Sequence, residues 1–190
     1  MANLINADPT AGLKLVSSSS SDIQIQSNGV TVCTINADGL SMNTGTLAGN
    51  GPAFSAYKTS NQTISVNTWT KSTFTVEEWD TNSNYDTTNS RFLPTVAGYY
   101  QMSYGMSTEG SSGTVTRVLS GLYKNGLEYK LISDAVGANV LANAAIGSTL
   151  VYLNGSTDYV EVWIYIVGGT PVVRGTQSAT WFTGCLVRSA

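Results

Sequence analysis

The sequence predicts an all-β protein, and composition and turn chemistry carry that prediction. Charged residues make up only 11% of the 190 residues, and apolar residues reach 42% in short runs. This balance suits packed sheets better than a helical bundle. Asn-Gly and Asp-Gly dipeptides separate several runs, and they favour tight turns because both residues tolerate positive φ. A chain of this length buries roughly 70% of its unfolded surface, so it needs no disulfide scaffold.

The clearest single strand follows Gly98. Its alternate residues fall on two faces, one with Tyr100, Met102 and Tyr104 and the other with Tyr99, Gln101 and Ser103. This period of two with aromatic residues indicates a strand with one buried face. The preceding segment, Trp79 to Arg91, is dense in Asn, Asp, Thr and Ser, which favour turns.

Later segments extend the β pattern. Residues 115–132 predict a hairpin that turns at Lys124-Asn125-Gly126, and shorter strands are expected at Ile64–Val66 and Ile146–Leu153. The run DYVEVWIYIV, residues 158–167, is apolar on both faces, which suggests burial on both sides. Its aromatic face, Tyr159, Trp163 and Tyr165, fits a subunit interface or a second layer of the same chain equally well.

The chain divides at a Gly-rich hinge, residues 43–52, into an N-terminal arm (1–50) and a head (51–190). Three short alternating runs make up the arm: Leu13 with Leu15, Ile23 with Ile25, and Val30 with Val32 and Ile35. Each run has too little apolar surface for a core of its own. The arm is therefore either unstructured alone or stable when it pairs with copies of itself or with a larger assembly.

Composition also excludes several functions. The net charge of −3 and the scattered Lys and Arg residues argue against nucleic-acid binding. Without any His, a Ser-His-Asp or Cys-His nucleophile cannot be built, and the two cysteines, expected to be free and buried, do not make a zinc site. We expect no enzymatic activity. The first residues lack the features of a secretory signal, and no run approaches a membrane span.

One stretch raises a metal hypothesis. Asp80, Asn82, Asn84 and Asp86 place oxygen ligands at alternate positions, a pattern that can bind Ca²⁺. The alternative is that these side chains form turns in a surface loop. Asp80 and Asp86 are the weak metal candidates, and no cofactor is otherwise expected.

The same stretch resembles the globular head of the C1q family, whose fold is shared with the tumour necrosis factor superfamily. The matching residues, at the family's spacings, are Phe74, Asp80, Tyr85, Phe92, Gly98, Tyr100, Met102 and Tyr104. Met102 stands where the family has Phe, and Met fills core space adaptably. Further phrases are similar at residues 53–56, at residues 122–126 and in the closing strand with Phe182 and Gly184.

The resemblance implies a ten-stranded jelly roll that forms a homotrimer through residues 51–190. The arm is similar in pattern to repeats near the ends of tailed-bacteriophage structural proteins, on Ile23 to Gly29 and Ile35 to Leu40. Together these resemblances imply a virion protein that is assembled in the host cytoplasm and acts outside it. The arm would bind other virion proteins, and the head would bind host-surface glycan or protein.

Three hypotheses about the function follow from these resemblances. The first is a fibre or adhesin whose contact loops lie distal to the base, with Glu109, Ser111 and Asn84 as candidate ligand residues. The second is a capsid decoration or cement protein with a mechanical role. The third is a bacterial surface module that is similar to lectins.

Overall fold

The structure is a computed structural model that describes residues 23–36, 39–42, 51–110, 114–140 and 142–190. The chain separates into two compact units, Met1–Asn50 and Gly51–Ala190. All regular structure among the described residues is β-strand, which confirms the predicted fold class.

The described part of the arm is a three-stranded antiparallel sheet. Its strands are β1 (Ile23–Ser27), β2 (Val30–Asn36) and β3 (Gly39–Met42), in that order. The β1–β2 turn has positive φ at Asn28 and at Gly29 (51° and 76°), as the Asn-Gly dipeptide predicts. The run with Leu13 and Leu15 lies outside the described residues.

The head contains the remaining strands. They are β4 (Ala53–Tyr57), β5 (Gln62–Thr63), β6 (Thr70–Lys71), β7 (Val76–Asp80), β8 (Tyr85–Asp86), β9 (Arg91–Phe92), β10 (Ala97–Gly110), β11 (Val115–Lys124), β12 (Leu127–Val140), β13 (Ala142–Asn154), β14 (Val160–Val167), β15 (Pro171–Val173) and β16 (Thr180–Ser189). Eight of them have five or more residues, which is the strand number of a jelly roll. The others are short segments of two or three residues, so the strand count exceeds the predicted ten.

These strands form two sheets that face each other across the core. The first sheet runs β13-β10-β16-β4-β7, with β15 and β5 continuing beside the end of β10. The second runs β12-β11-β14-β9-β8, with β6 beside β14. Two predicted boundaries change: the strand expected at Ile64–Val66 is β5, which ends before Ile64, and β13 begins at Ala142, before the expected Ile146.

An aromatic cluster joins the two sheets. The Phe54 ring stacks on the rings of Phe92 and Tyr85, with centroids 4.4 and 4.9 Å away, and Phe182 meets it edge-on at 5.0 Å. The residues that carry the family resemblance lie in or beside this core; Phe74, Tyr85, Phe92, Tyr100, Met102, Tyr104 and Phe182 are all buried.

Met102 packs against a glycine on the neighbouring strand. A Cβ added to Gly184 would lie only 2.7 Å from Cε and Sδ of Met102. Glycine at position 184 therefore leaves the space that the flexible Met102 side chain fills, and this explains how the core accepts methionine at that position.

The head has two recognisable ends. The base holds Gly51 and Ala190, since the Leu186 amide donates to Pro52 O at 2.9 Å and the Ala190 amide to Ala97 O at 3.1 Å. The distal end lies at the far ends of β10 and β11 and holds Gly110. The segment from Trp79 to Arg91 lies at the base, because the Thr81 amide donates to Ala53 O at 3.0 Å. The expectation that this segment contributes to a distal contact surface is therefore wrong.

Three buried tyrosines allow a test of the core at alkaline pH. Desolvation raises the pKa of Tyr100 and of Tyr104 to about 12 and raises that of Tyr85 as well. An unfolded tyrosine ionises near pH 10, so folding stability should hold below about pH 10 and fall as the pH rises towards 12.

We expect an ultraviolet titration to show at least three of the ten tyrosines ionising only as the head unfolds. Tyr100→Phe should remove one of these late phenols. Ionisation of all ten near pH 10 in a chain that keeps its circular dichroism would contradict this packing.

Candidate interaction site

The outer face of the first sheet, turned away from the core, is aromatic where β13, β10 and β16 form it, and these strands place no charged residue at the centre of that surface. Tyr99 lies opposite Tyr152 in the β10–β13 ladder, and Gln101 lies opposite Leu150. The side chains of Tyr99, Leu150 and Tyr152 are 48%, 49% and 41% exposed. We call this surface the neutral face; its members are Tyr99, Gln101, Ser103, Ile146, Ser148, Leu150, Tyr152, Cys185 and Val187.

The polar members of the neutral face satisfy one another. Gln101 Nε2 donates to Ser148 Oγ at 2.6 Å, and the hydroxyls of Ser103 and Ser148 lie 3.0 Å apart. Tyr99 and Tyr152 are in ring contact at 5.5 Å. No charged residue occurs in the ranges 99–107, 144–154 and 180–187. Such a surface can be buried without leaving a charged side chain unpaired in the interface.

An open groove runs from the neutral face towards the base. Its volume is about 540 Å³, and its lining residues are Tyr99, Leu150, Val187, Arg188, Ser189 and Ala190. The groove joins tyrosine and aliphatic surface to one arginine, a composition that is typical of the centre of protein–protein interfaces.

A second exposed apolar surface lies along β12, the edge strand of the second sheet. Leu127, Tyr129 and Leu131 are all exposed there, Leu127 at 74%. Tyr129 Oη donates to Leu150 O at 3.4 Å, so this strand lies beside β13. We call these three residues the edge patch. Exposed apolar surface at a strand edge needs cover, because such edges otherwise associate indiscriminately.

The aromatic face expected at Tyr159, Trp163 and Tyr165 is occupied within the chain. Trp163 stacks on Tyr123 with centroids 4.8 Å apart, and the Trp69 ring contacts both Tyr123 and Tyr165. All three residues are half-buried. These contacts favour the alternative, a second layer of the same chain, and they leave the neutral face as the exposed aromatic surface.

The metal candidates Asp80 and Asp86 accept hydrogen bonds from their own loop. Asp80 accepts from the amides of Asn82 (3.1 Å) and Tyr85 (2.6 Å). Asp86 accepts from the Asn89 amide and side chain, and these bonds hold the pKa of Asp86 below its ordinary value. Within the described ranges no three acidic, Cys or His residues cluster as metal ligands. The oxygens therefore act as turn formers, which was the alternative to a calcium site.

The candidate ligand residues separate in the structure. Glu109 lies at the distal end of β10, with Oε2 3.5 Å from Arg174 Nε. Asn84 is buried at the base, where its Oδ1 accepts from the Thr95 amide and its Nδ2 donates to Asn82 O. Asn84 therefore holds the loop together and presents no group to a ligand. Ser111 lies outside the described residues.

Both cysteines are free, but only Cys33 is buried. Cys185 is exposed on the neutral face, so the expectation of two buried thiols is wrong for Cys185. The alternation of β16 could have shown this, because Cys185 is out of phase with the buried Phe182 and Gly184. In the described part of the chain, no helix is long and apolar enough to cross a membrane.

Sequence reasoning missed Asp158, which ties two turns together at the base. Its carboxylate accepts from Lys124 Nζ (2.8 Å), Asn125 Nδ2 (2.7 Å) and the Asn154 amide (3.1 Å). Desolvation alone would raise the pKa of Asp158, but these bonds together outweigh it and hold the pKa below its ordinary value. The Asn-Gly turns at residues 125–126 and 154–155 were the only sequence signal near it.

Replacing Asp158 with alanine should destabilise the head, because Asp158 is buried and three donors from two turns lose their common acceptor. We expect a loss of about 1–3 kcal/mol in the free energy of unfolding, measured by denaturant titration at pH 7. The wild-type contribution should be present above about pH 4 and disappear as the pH falls through the lowered pKa.

Asp134→Ala is the matched control, since Asp134 pairs with Arg117 on the surface and exposed pairs contribute little. Equal destabilisation by the two substitutions would contradict the assignment.

Comparison with known proteins agrees with this architecture. The sequence profile of the C1q domain matches residues 53–187. Eiger TNF from S. frugiperda is similar at a TM-score of 0.55 and 10% identity, over 74% of this chain and 94% of that one. Murine APRIL at pH 8.5 is similar at 0.52 and 7%, over 72% and 99%. These likenesses confirm the predicted jelly-roll fold.

The globular domain of zebrafish complement 1qA protein matches at a TM-score of 0.48 and 18% identity, over 73% of this chain and 99% of that one. No curated protein sequence matches the chain significantly.

Proposed function

We propose that this chain, which belongs to the C1q domain family, is a non-enzymatic structural protein of a tailed-bacteriophage particle. Its heads form a homotrimer that projects from the particle and binds material on the host surface. C1q and tumour-necrosis-factor domains are generally non-enzymatic binding modules, and members form homotrimers.

The observation that carries the trimer is the pairing of two different uncovered surfaces on one head. The neutral face has no charged residue at its centre, the edge patch is apolar with the Lys130 ammonium over its Tyr129 ring, and both surfaces are solvent-exposed in the single chain. When the edge of one subunit packs on the face of the next, the contact is head-to-tail, and a rotation of one third of a turn closes it into a ring.

Burial energetics favour this arrangement. Full burial of a leucine side chain contributes about 1.5–3 kcal/mol. Leu150 is already half-buried in the single chain, so its burial in a trimer adds roughly half of that, and the neutral face offers several such side chains. Because no charged residue lies at the centre of the face, the apolar gain is not offset by ion desolvation. The aromatic composition also suits a protein partner better than a small ligand.

The virion part of the proposal rests on the arm. Its turn-separated β runs resemble segments that precede receptor-facing domains in phage structural proteins, and the described part is a small sheet. Residues 43–50 join the head at Gly51, at its base, so the distal ends would be free to contact the host.

The distal end supplies the proposed contact surface. It carries two ion pairs, Glu109 with Arg174 and Arg117 with Asp134. The second pair is bidentate, at 2.8 and 2.7 Å. Three copies of a weak contact on one trimer would act as a multivalent binder. Decoration of the capsid is the alternative role for the same trimer, and a bacterial surface module similar to lectins is a further one.

Leu150→Glu should convert the trimer to monomers, because it would place a charge in the buried interface without a partner. We expect the mass from light scattering to fall from about 60 kDa, three times the 20.0 kDa chain, to that of one chain. Thr116→Glu adds the same charge on the exposed distal side and should leave the trimer intact. Identical masses for the two variants would contradict the assigned interface.

Location and binding separate the three roles. Immunogold labelling with antibodies to the head should decorate phage particles that carry this chain. The purified trimer should sediment with host cells, and Arg117→Ala should weaken that sedimentation more than Arg91→Ala, which removes the same charge at the base. Labelling without cell binding would leave only capsid decoration, and particles that contain none of the chain would contradict a virion role.

A further inference from the structure

A β-bulge divides the side chains of the arm sheet between two chemically different faces. The β1–β2 register runs regularly to the pair Ile25–Cys33, and the following pair is Gln26–Thr31. Val32 is therefore the extra residue of the bulge. Beyond a bulge the alternation of the longer strand is shifted by one residue relative to its partner. Thr31 consequently shares a face with Gln26.

The polar face of the sheet satisfies its own hydrogen bonds. Gln26 Nε2 donates to Thr31 Oγ1 at 3.3 Å, and Thr31 Oγ1 donates to Gln24 Oε1 at 3.1 Å. These three side chains form a chain of bonds across two strands. This face is suited to water and needs no partner.

The opposite face is apolar, and its outer residues are exposed around the buried Cys33. Its members in β1 and β2 are Ile23, Ile25, Val30, Cys33 and Ile35, and we call it the apolar arm face. Val30 belongs to it because adjacent strand residues point to opposite sides and Thr31 lies on the polar face. Ile25, Val30 and Ile35 are 52%, 55% and 41% exposed. A three-stranded sheet needs its apolar face packed to be stable.

The chemistry of this face favours a second copy of itself. Residues 23–36 contain no charged residue, so copies that meet there suffer no like-charge repulsion, and a charged partner surface would lose its hydration without gaining an ion pair. The face also runs along both strands, from the Ile23–Ile35 pair past Ile25 to Val30.

We propose that the apolar arm faces of three chains pack against one another about the three-fold axis, which makes the arm a second trimerisation element. The inference rests on the trimeric head proposed above. Each head trimer brings three identical faces together on short links, residues 43–50, and tethering of this kind raises the effective concentration to roughly the millimolar range. Three one-sided sheets around an axis leave no apolar face uncovered.

Cysteine trapping in the full-length chain tests this packing. In a Cys33→Ala, Cys185→Ala background, Ile25→Cys and Val30→Cys place single thiols on the apolar arm face. Gln26→Cys and Thr31→Cys place single thiols at the adjacent positions on the polar face. A disulfide forms only where Cα atoms come within about 7 Å. We expect mild oxidation to link two of the three chains at least tenfold faster from position 25 or 30 than from position 26 or 31.

Light scattering on the reduced variants separates the two proposals. A trimer that links rapidly from the apolar arm face alone supports the inference. A trimer that links from neither Ile25→Cys nor Val30→Cys, or that links equally from the polar-face controls, overturns the arm packing and leaves the head trimer intact. A chain that remains monomeric before oxidation overturns both.

Discussion

The contact on which the head depends is the stack of Phe54 between the two sheets. Phe54 comes from β4 in the first sheet, and its ring meets Tyr85 and Phe92 from the second. Aromatic burial at this point fixes which side of β4, β8, β9 and β16 faces inward, because side chains alternate along a strand. The packing of the core therefore also decides which residues lie on the outer faces, and the composition of those faces indicates what they contact.

The two outer faces differ in how they are covered. On the second sheet the Trp69, Tyr123, Trp163 and Tyr165 rings cover one another, so that layer is complete within one chain. On the first sheet the neutral face has the contact between Tyr99 and Tyr152, the Lys124 ammonium over the Tyr152 ring and a few short hydrogen bonds, and its Tyr99, Leu150 and Tyr152 side chains stay exposed. One uncharged and uncovered face beside one uncovered edge is the arrangement that a ring of identical subunits completes.

The sequence predicted the features that depend on neighbouring residues, such as turns and strand alternation. It did not predict the features that depend on pairing between distant strands. The alternation of apolar and polar residues predicted the buried side chains of β10, and the Asn-Gly dipeptides predicted the turns at residues 28–29 and 125–126 with their positive φ. The position of the Trp79–Arg91 segment at the base depends on its pairing near Ala53, which no local pattern contains. The neutral face was missed because it consists of ordinary Ser, Gln, Leu and Tyr residues that register alone brings together.

The most direct test of the account is hydroxyl-radical footprinting of the unmodified chain at micromolar concentration. In a single chain Tyr99 is 48% and Trp79 is 46% exposed, while Tyr100 is fully buried. After the oxidation rates are corrected for intrinsic reactivity, we expect Tyr99 and Tyr152 to be protected nearly as well as Tyr100, while Trp79 on β7 stays reactive. Oxidation of Tyr99 and Tyr152 in proportion to their exposure in the single chain would contradict a covered neutral face.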